Sequence, residues 1–424
     1  MTDFSHDPPP PRNFRLMAAG QVVTVMGSSL LRFALSLYVL DTTGRADLFA
    51  ALFALSSIPV LLAPVGGALS DRFNRQRLMV LYDIICCGVT LVFLFIMLSG
   101  HASVFAVGAV MVILGIVSAM ETPNGTACIP FLVERDRLES ANGVIQTVQS
   151  LSGIAAPVLG GILYGALGIQ ALVTISCAAF AAAAITEMFI RIPFVKRPQE
   201  GSMARTLAGD LKDGFIYVWK EPFIRRLMIL AALLNLVLVP CFLVASPLIL
   251  RMTLQSGDAA YGTGMGLIEA ASIIGALTVG AFSKKMRINT LWRWILGLAL
   301  LFVPLALSVT PAMLGTGFWP PFVIFVLCVM LMAATATILS IFVIVRIQAR
   351  TPGEHLGKVM AIIQAVAQCA APLGQLLYGA AFQRLSGAVH VPLLLAGGLT
   401  LAIAFRGKIT LRKESVNDIN YTGR

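Results

Sequence analysis

Apolar residues run through this chain in long blocks, not in the alternating or three-and-four spacing that marks half-buried strands and surface helices. The blocks fall at 16–40, 47–69, 78–99, 103–121, 142–164, 168–190, 226–250, 261–283, 291–310, 319–344, 359–380 and 388–406. About 20 predominantly apolar residues suffice to cross a bilayer as a helix. Lipid offers no partner for an open backbone, so a chain of separate spans must cross as helices. The pattern therefore predicts an all-α integral membrane protein of twelve transmembrane helices joined by short polar links.

Composition agrees with the pattern. The 424 residues are 58% hydrophobic and 12% charged, against about 25% charged in soluble domains. The net charge of +11 does not suggest nucleic acid, because the basic residues are scattered through short links and not gathered on one stripe. They set topology instead. Alternate links carry Arg72, Arg75 and Arg77, then Arg135 and Arg137, then a group from Arg191 to Lys220, then Lys284, Lys285 and Arg287, then Arg346, Arg350 and Lys358. The opposite set carries only Arg45, Arg251 and Arg384. By the excess of Lys and Arg in cytoplasmic loops, both termini and the longest loop are expected inside. The cysteines show no C-x-x-C or Cys/His grouping and are expected as packing residues, with no metal and no cofactor. The first apolar block is too long for a signal-peptide core, so no cleavage is expected.

The longest polar interval, 191–225, alternates charge with Phe215, Ile216, Trp219 and Phe223, the pattern of an amphipathic helix lying on a membrane face. It separates two related halves. The run over 61–75 matches the run beginning near 274, with Gly67, Ala68 and Ser70 on Gly280, Ala281 and Ser283 at a shift of 213. A second match at nearly the same shift pairs 149–165 with 364–379. Expected boundaries are a tail at 1–15, a six-helix bundle at 16–190, the loop at 191–225, a second six-helix bundle at 226–406 and a tail at 407–424.

Between the second and third blocks the chain reads Gly67, Asp71, Arg72, Asn74, Arg75 and Arg77. With twelve spans and a duplicated half, this resembles the major facilitator superfamily, whose signature there is G-x-x-x-D-R-x-G-R-x-R/K. Asn74 stands in place of a glycine, and asparagine is a frequent substitute where a left-handed backbone is wanted. The resemblance implies that Asp71 sits against the N-terminus of the eleventh helix, expected near Gly357–Lys358, and latches the inner ends of the halves. In the fifth block Gly143, Ser152, Ala156, Pro157, Gly160 and Gly161 partly match the family's antiporter motif, with two glycines replaced by small residues. Segments 19–44, 71–83 and 121–152 look like the macrolide-efflux and enterobactin-exporter branch, which implies a bacterial inner-membrane exporter.

Ionisable groups inside a span cost at least roughly 2.5–3.5 kcal/mol each and so ask for a reason. Arg32 in the first block is expected to face a central cavity, paired with a carboxylate or an anionic group of the substrate. Glu269 in the eighth is expected in the same cavity, as a proton carrier or a cation site. Asp83 and Glu121 are expected to pair with the arginines of residues 72–77, and Glu187 to sit at an interface. Gln21 and Thr24 on the first block and Asn235 on the seventh would line the cavity, with Gln146, Gln149, Gln364 and Gln368 along the seam between halves.

The reading that joins these features is a monomeric secondary transporter that exports an amphipathic small molecule by alternating access, driven by protons. Uptake or facilitated diffusion of a metabolite is the alternative within transport. A lipid enzyme lacks a clustered Ser/His/Asp or paired-carboxylate site at a membrane face, and a non-transporting receptor would be expected to lose the motif charges, which are intact.

Overall fold

The structure, a computed structural model, describes residues 11–134, 138–190, 192, 203–283 and 286–411. The described residues are helical almost throughout. In order they form α1 (Pro11–Thr43), α2 (Ala46–Ser57), α3 (Ala63–Arg72), α4 (Arg75–Leu98), α5 (Val104–Cys128) and α6 (Leu138–Met188). Then come α7 (Met203–Lys220), α8 (Pro222–Pro240), α9 (Ser246–Leu248), α10 (Asp258–Ser283), α11 (Leu291–Ser308), α12 (Pro311–Leu314), α13 (Trp319–Arg350), α14 (Gly353–Arg384) and α15 (His390–Leu411). Among the described residues nine helical segments are long and apolar enough to cross a membrane. The blocks expected at 47–69, 142–164 and 359–380 are also helical, on α2–α3, α6 and α14, but are not among those nine. Large apolar side chains face outward along the helices, including Phe105, Leu277 and Ile409. Exposed apolar surface on this scale marks a face meant for lipid.

The chain divides into two compact units, residues 1–44 with 55–203, and residues 45–54 with 204–424. In the first unit, α6 packs on α1 and α4, and α5 packs on α1, α3 and α4. α6 turns at Gly168, whose φ of 74° suits a residue without a Cβ. A Cβ built on Gly66 of α3 would stand 2.5 Å from the Met120 Cα of α5, so these two backbones touch. In the second unit, α13 packs on α10 and α11, α15 on α11, and α14 on α8. There Gly275 of α10 lies on the Ala334 carbonyl of α13, where a Cβ would stand 2.6 Å away. Small residues at such crossings let helices associate in lipid, where burial of apolar surface gives no net drive.

The turn between α3 and α4 corrects one expectation. Asn74 has φ −64° and ψ 116°, an extended conformation and not a left-handed one. Its side chain caps α4, the Oδ1 accepting from the Arg77 amide at 3.2 Å. Asparagine is here for its acceptor, which satisfies one of the donors a helix start leaves open. Asn74→Ala is expected to lower stability by about 1 kcal/mol, and Asn74→Gly by only a few tenths. Thermal unfolding of the purified protein in detergent checks this, and equal losses in both variants would refute the capping role.

Candidate functional site

Three acidic residues from three helices converge inside the first unit. Asp83 lies on α4, Glu121 on α5 and Glu187 near the end of α6, each no more than 3% exposed. α1 faces them with Gln21 and Thr24, both fully buried. Thr24 Oγ1 donates to Asp83 Oδ1 at 2.7 Å and lies 3.1 Å from the Gly20 carbonyl. Gln21 Nε2 donates to Glu121 Oε1 at 3.4 Å. The Glu187 carboxyl is close enough to those of Asp83 and Glu121 for the three to act on one another electrostatically. Neither Glu187 oxygen, nor Asp83 Oδ2, meets a conventional donor among the described residues.

Two glycines make room for this arrangement. A Cβ on Gly20 would come within 2.7 Å of Glu187 Oε1, and one on Gly125 would run into the Gln21 amide. The helix ends around the cluster are tied by polar side chains: Gln76 Nε2 donates to the Met188 carbonyl at 2.9 Å, and Asn124 Nδ2 to the Arg75 carbonyl at 3.1 Å. One turn beyond the acids lies an apolar plug that includes Met17, Met79, Cys128, Leu132 and Ile190, each at most 1% exposed. The acids are thus closed off from the end of the unit that carries the 72–77 turn.

The geometry accommodates a proton that comes and goes. Thr24 has one hydroxyl proton and two acceptors beside it. When Asp83 is ionised that proton serves the carboxylate; when Asp83 is protonated it can turn to the Gly20 carbonyl while Asp83 donates to Thr24. Burying several carboxylates together costs several kcal/mol per ion unless they are paired. Among the described residues no basic side chain is a hydrogen-bond partner of these three acids, so a proton shared between neighbours is the arrangement the site suits.

Asp83 and Glu121 were expected to pair with the arginines of residues 72–77; among the described residues their hydrogen-bond partners are Thr24 and Gln21, not Arg75 or Arg77. Asp83 lies six residues beyond Arg77, about 240° around α4, so the two point to different faces. Arg77 is exposed, and the Arg75 guanidinium stacks over the Phe131 ring at 4.6 Å from its centroid. Glu187, expected at an interface, is in the core of the cluster. Gln21 and Thr24, expected to line a cavity, are sealed against the acids. Arg32 is half-buried, and its Nε donates to the Ser28 carbonyl of its own helix at 3.4 Å; no carboxylate pairs with it among the described residues. Gly67 accepts from Ser70 Oγ through its carbonyl at 2.6 Å. Gly160 and Gly161 are buried, and Gly160 faces α1, where a Cβ would stand 3.1 Å from the Phe33 ring. The side chains of Asp71, Arg72, Gly143, Gln146, Gln149, Ser152, Ala156, Pro157, Gln364 and Lys358 lie outside the described residues. The helix that the latch would meet, α14, begins at Gly353, a few residues before the expected start.

The second unit holds a cavity of about 430 Å3 between α8, α10, α13 and α14. Its walls are apolar, with Asn235, Ser272, Thr337, Ser340 and Gln368 as the polar points. Asn235 and Gln368, predicted separately for a cavity and a seam, therefore share one chamber. Asn235 Nδ2 donates to the Ala231 carbonyl at 3.0 Å, leaving its carbonyl oxygen as an acceptor for the chamber. An apolar chamber with a few hydrogen-bonding groups suits a lipophilic ligand. Glu269 on α10 is half-buried, is not part of the chamber wall and has no hydrogen-bond partner among the described residues. Gln375, which sequence reasoning passed over, is 1% exposed on α14, its Oε1 without a partner among the described residues.

A sequence model of the Major Facilitator Superfamily matches residues 17–343. The chain is 25% identical over 403 residues to macrolide efflux protein A of Streptococcus pyogenes, covering 92% of this chain and 94% of that protein. It is 25% identical over 386 residues to the multidrug efflux pump Tap of Mycolicibacterium fortuitum, covering 88% and 90%. Among solved structures, the nucleoside transporter NupG aligns with a TM-score of 0.69 at 15% identity, over 94% of this chain and 98% of that one. The POT family transporter PepTSo aligns with a TM-score of 0.72 at 12% identity, over 96% of this chain and 99% of that one. These structures share the fold.

Proposed function

The chain belongs to the major facilitator superfamily and is a multi-pass membrane transporter, not an enzyme, and on that premise we propose that it exports an amphipathic small molecule in exchange for protons. The observation that carries the proton part is the buried meeting of Asp83, Glu121 and Glu187, with no basic residue among their hydrogen-bond partners in the described residues. The similarity to proteins named as macrolide and multidrug efflux pumps supports the outward direction. The chamber of the second unit takes the substrate, and its uncharged polar groups favour a ligand with hydrogen-bonding groups on an apolar body.

In this reading twelve spans form two six-helix bundles, within 16–190 and 226–406, joined by α7 on the membrane face. The protein sits as a monomer in a bacterial inner membrane with both termini in the cytoplasm, where the positive links belong. Asp71, Arg72, Arg75 and Arg77 govern the inner gate, and Gly143, Ser152, Ala156 and Pro157 shape the fifth helix for sliding. Proton entry to the acidic cluster is exchanged for substrate by alternating access. Glu269 is a second candidate for proton binding.

The test is accumulation of a panel of macrolides, dyes and siderophores in cells with and without the protein, with and without a protonophore. Expression is expected to lower accumulation of at least one compound, and the protonophore to restore it. Raised accumulation would reverse the direction, and a decrease indifferent to the protonophore would remove the coupling.

A further inference from the structure

We infer that the second unit carries a site for an anionic diacyl phospholipid, in the groove between α8 and α15. The groove encloses about 180 Å3. Its floor is apolar, with Ile229, Leu233 and Ile403, and at its mouth stand Arg226 and Arg406, with no acidic residue in the lining among the described residues. Arg226 Nη1 donates to the Thr410 carbonyl at 3.3 Å, which holds that guanidinium across the groove from α8 to α15. A guanidinium has five donors, enough to serve a carbonyl and a phosphate together. Gly407 leaves the floor open, since the nearest atom a Cβ there would meet is Leu230 Cδ1 at 3.9 Å.

Charge and surroundings together select the occupant. Two arginines above an apolar trough match a phosphodiester above acyl chains, and zwitterionic lipid offers no net charge to them. The same end of this unit carries interfacial anchors. Lys408 Nζ stands 4.5 Å and the Arg293 guanidinium 5.7 Å from the Trp292 ring, and the Arg225 guanidinium stands 5.5 Å from the ring of Trp219. Trp219 is exposed and stacks with Phe215 on the amphipathic helix α7. Tryptophan beside Lys and Arg is the composition of the headgroup level of a membrane. The groove mouth, framed by residues 226, 406 and 410, therefore opens where lipid headgroups lie.

The experiment is native mass spectrometry of the full chain in detergent, titrated with phosphatidylglycerol or with phosphatidylethanolamine of the same acyl chains. One tightly held phosphatidylglycerol is expected, and its retention should fall roughly 30-fold in the double variant Arg226→Gln/Arg406→Gln, at roughly fivefold for each basic residue. Gly407→Leu keeps both charges and fills the floor, so it should also lose the lipid; it decides the matter if the arginine pair is needed for folding. Glycerol phosphate at matching concentration should not compete. Equal retention of both lipids, competition by glycerol phosphate, or unchanged binding in Gly407→Leu would overturn the site.

Discussion

Replacing Glu187 by glutamine is expected to cut proton-driven efflux at least tenfold while leaving substrate counterflow intact. The change removes one titratable group from a buried trio and keeps its shape. It also supplies an amide N–H2 beside Asp83, whose Oδ2 has no donor among the described residues, so the variant mimics a protonated site. A folded protein that still exchanges substrate for substrate but no longer responds to an inward proton gradient would separate coupling from structural damage. Asp83→Asn is expected to act in the same direction, because Thr24 Oγ1 keeps a partner at the 2.7 Å contact. The readout is efflux from everted vesicles under an imposed pH gradient, set against counterflow at equal pH on both sides. Full gradient-driven efflux in Glu187→Gln would take the cluster out of the mechanism. In the same assay an unchanged pH dependence in Glu269→Gln would remove that residue as a second proton site.

Gly374→Leu is expected to destabilise the second unit by about 3 kcal/mol. A Cβ at Gly374 would run into the Leu236 carbonyl of α8, and would stand 2.6 Å from the Pro240 ring. A carbonyl in a helix cannot step aside as a flexible side chain can, so α14 would have to move off α8. The contact also sets the chamber, because Asn235 and Leu238 on α8 and Gln368 on α14 face one another across it. Loss of thermal stability in detergent should therefore be accompanied by weaker substrate binding. Gly297→Ala in α11, where nothing lies within 4 Å of the added carbon, serves as the control and should be neutral or slightly stabilising. Equal behaviour of the two variants would show that the α8–α14 approach is not tight.

Some of the site was legible residue by residue. Asp83, Glu121 and Glu187 stand out because each interrupts an apolar run, and Gln21 and Thr24 because they recur on one face of the first block. Their partners were not legible. The turn at 72–77 holds the basic residues nearest to Asp83 along the chain, and Asp83 and Glu121 both fall at the inner ends of their blocks, which suggests its arginines as the answer to both acids. The fold instead supplies Thr24 and Gln21, 59 and 100 positions away. Asn74 shows the same limit at short range: its place in the motif suggested a left-handed turn, whereas the cap it makes depends on where α4 starts. Asn235 and Gln368 were each read as polar points on different surfaces, and only the packing of α8 and α14 puts them into one chamber.

The order of residues by itself determined a helical membrane protein, the blocks that become helices, the internal duplication and the family resemblance. Those properties depend on local composition and period, which act along a single helix and need no neighbour. Tertiary structure alone decided which buried acids share a wall, which glycines admit them, and which polar groups enclose the chamber. Those outcomes depend on the rotation and depth of one helix against another. A few tenths of an ångström at a crossing such as Gly20 against Glu187 sets them, and no pattern along one strand of sequence records it.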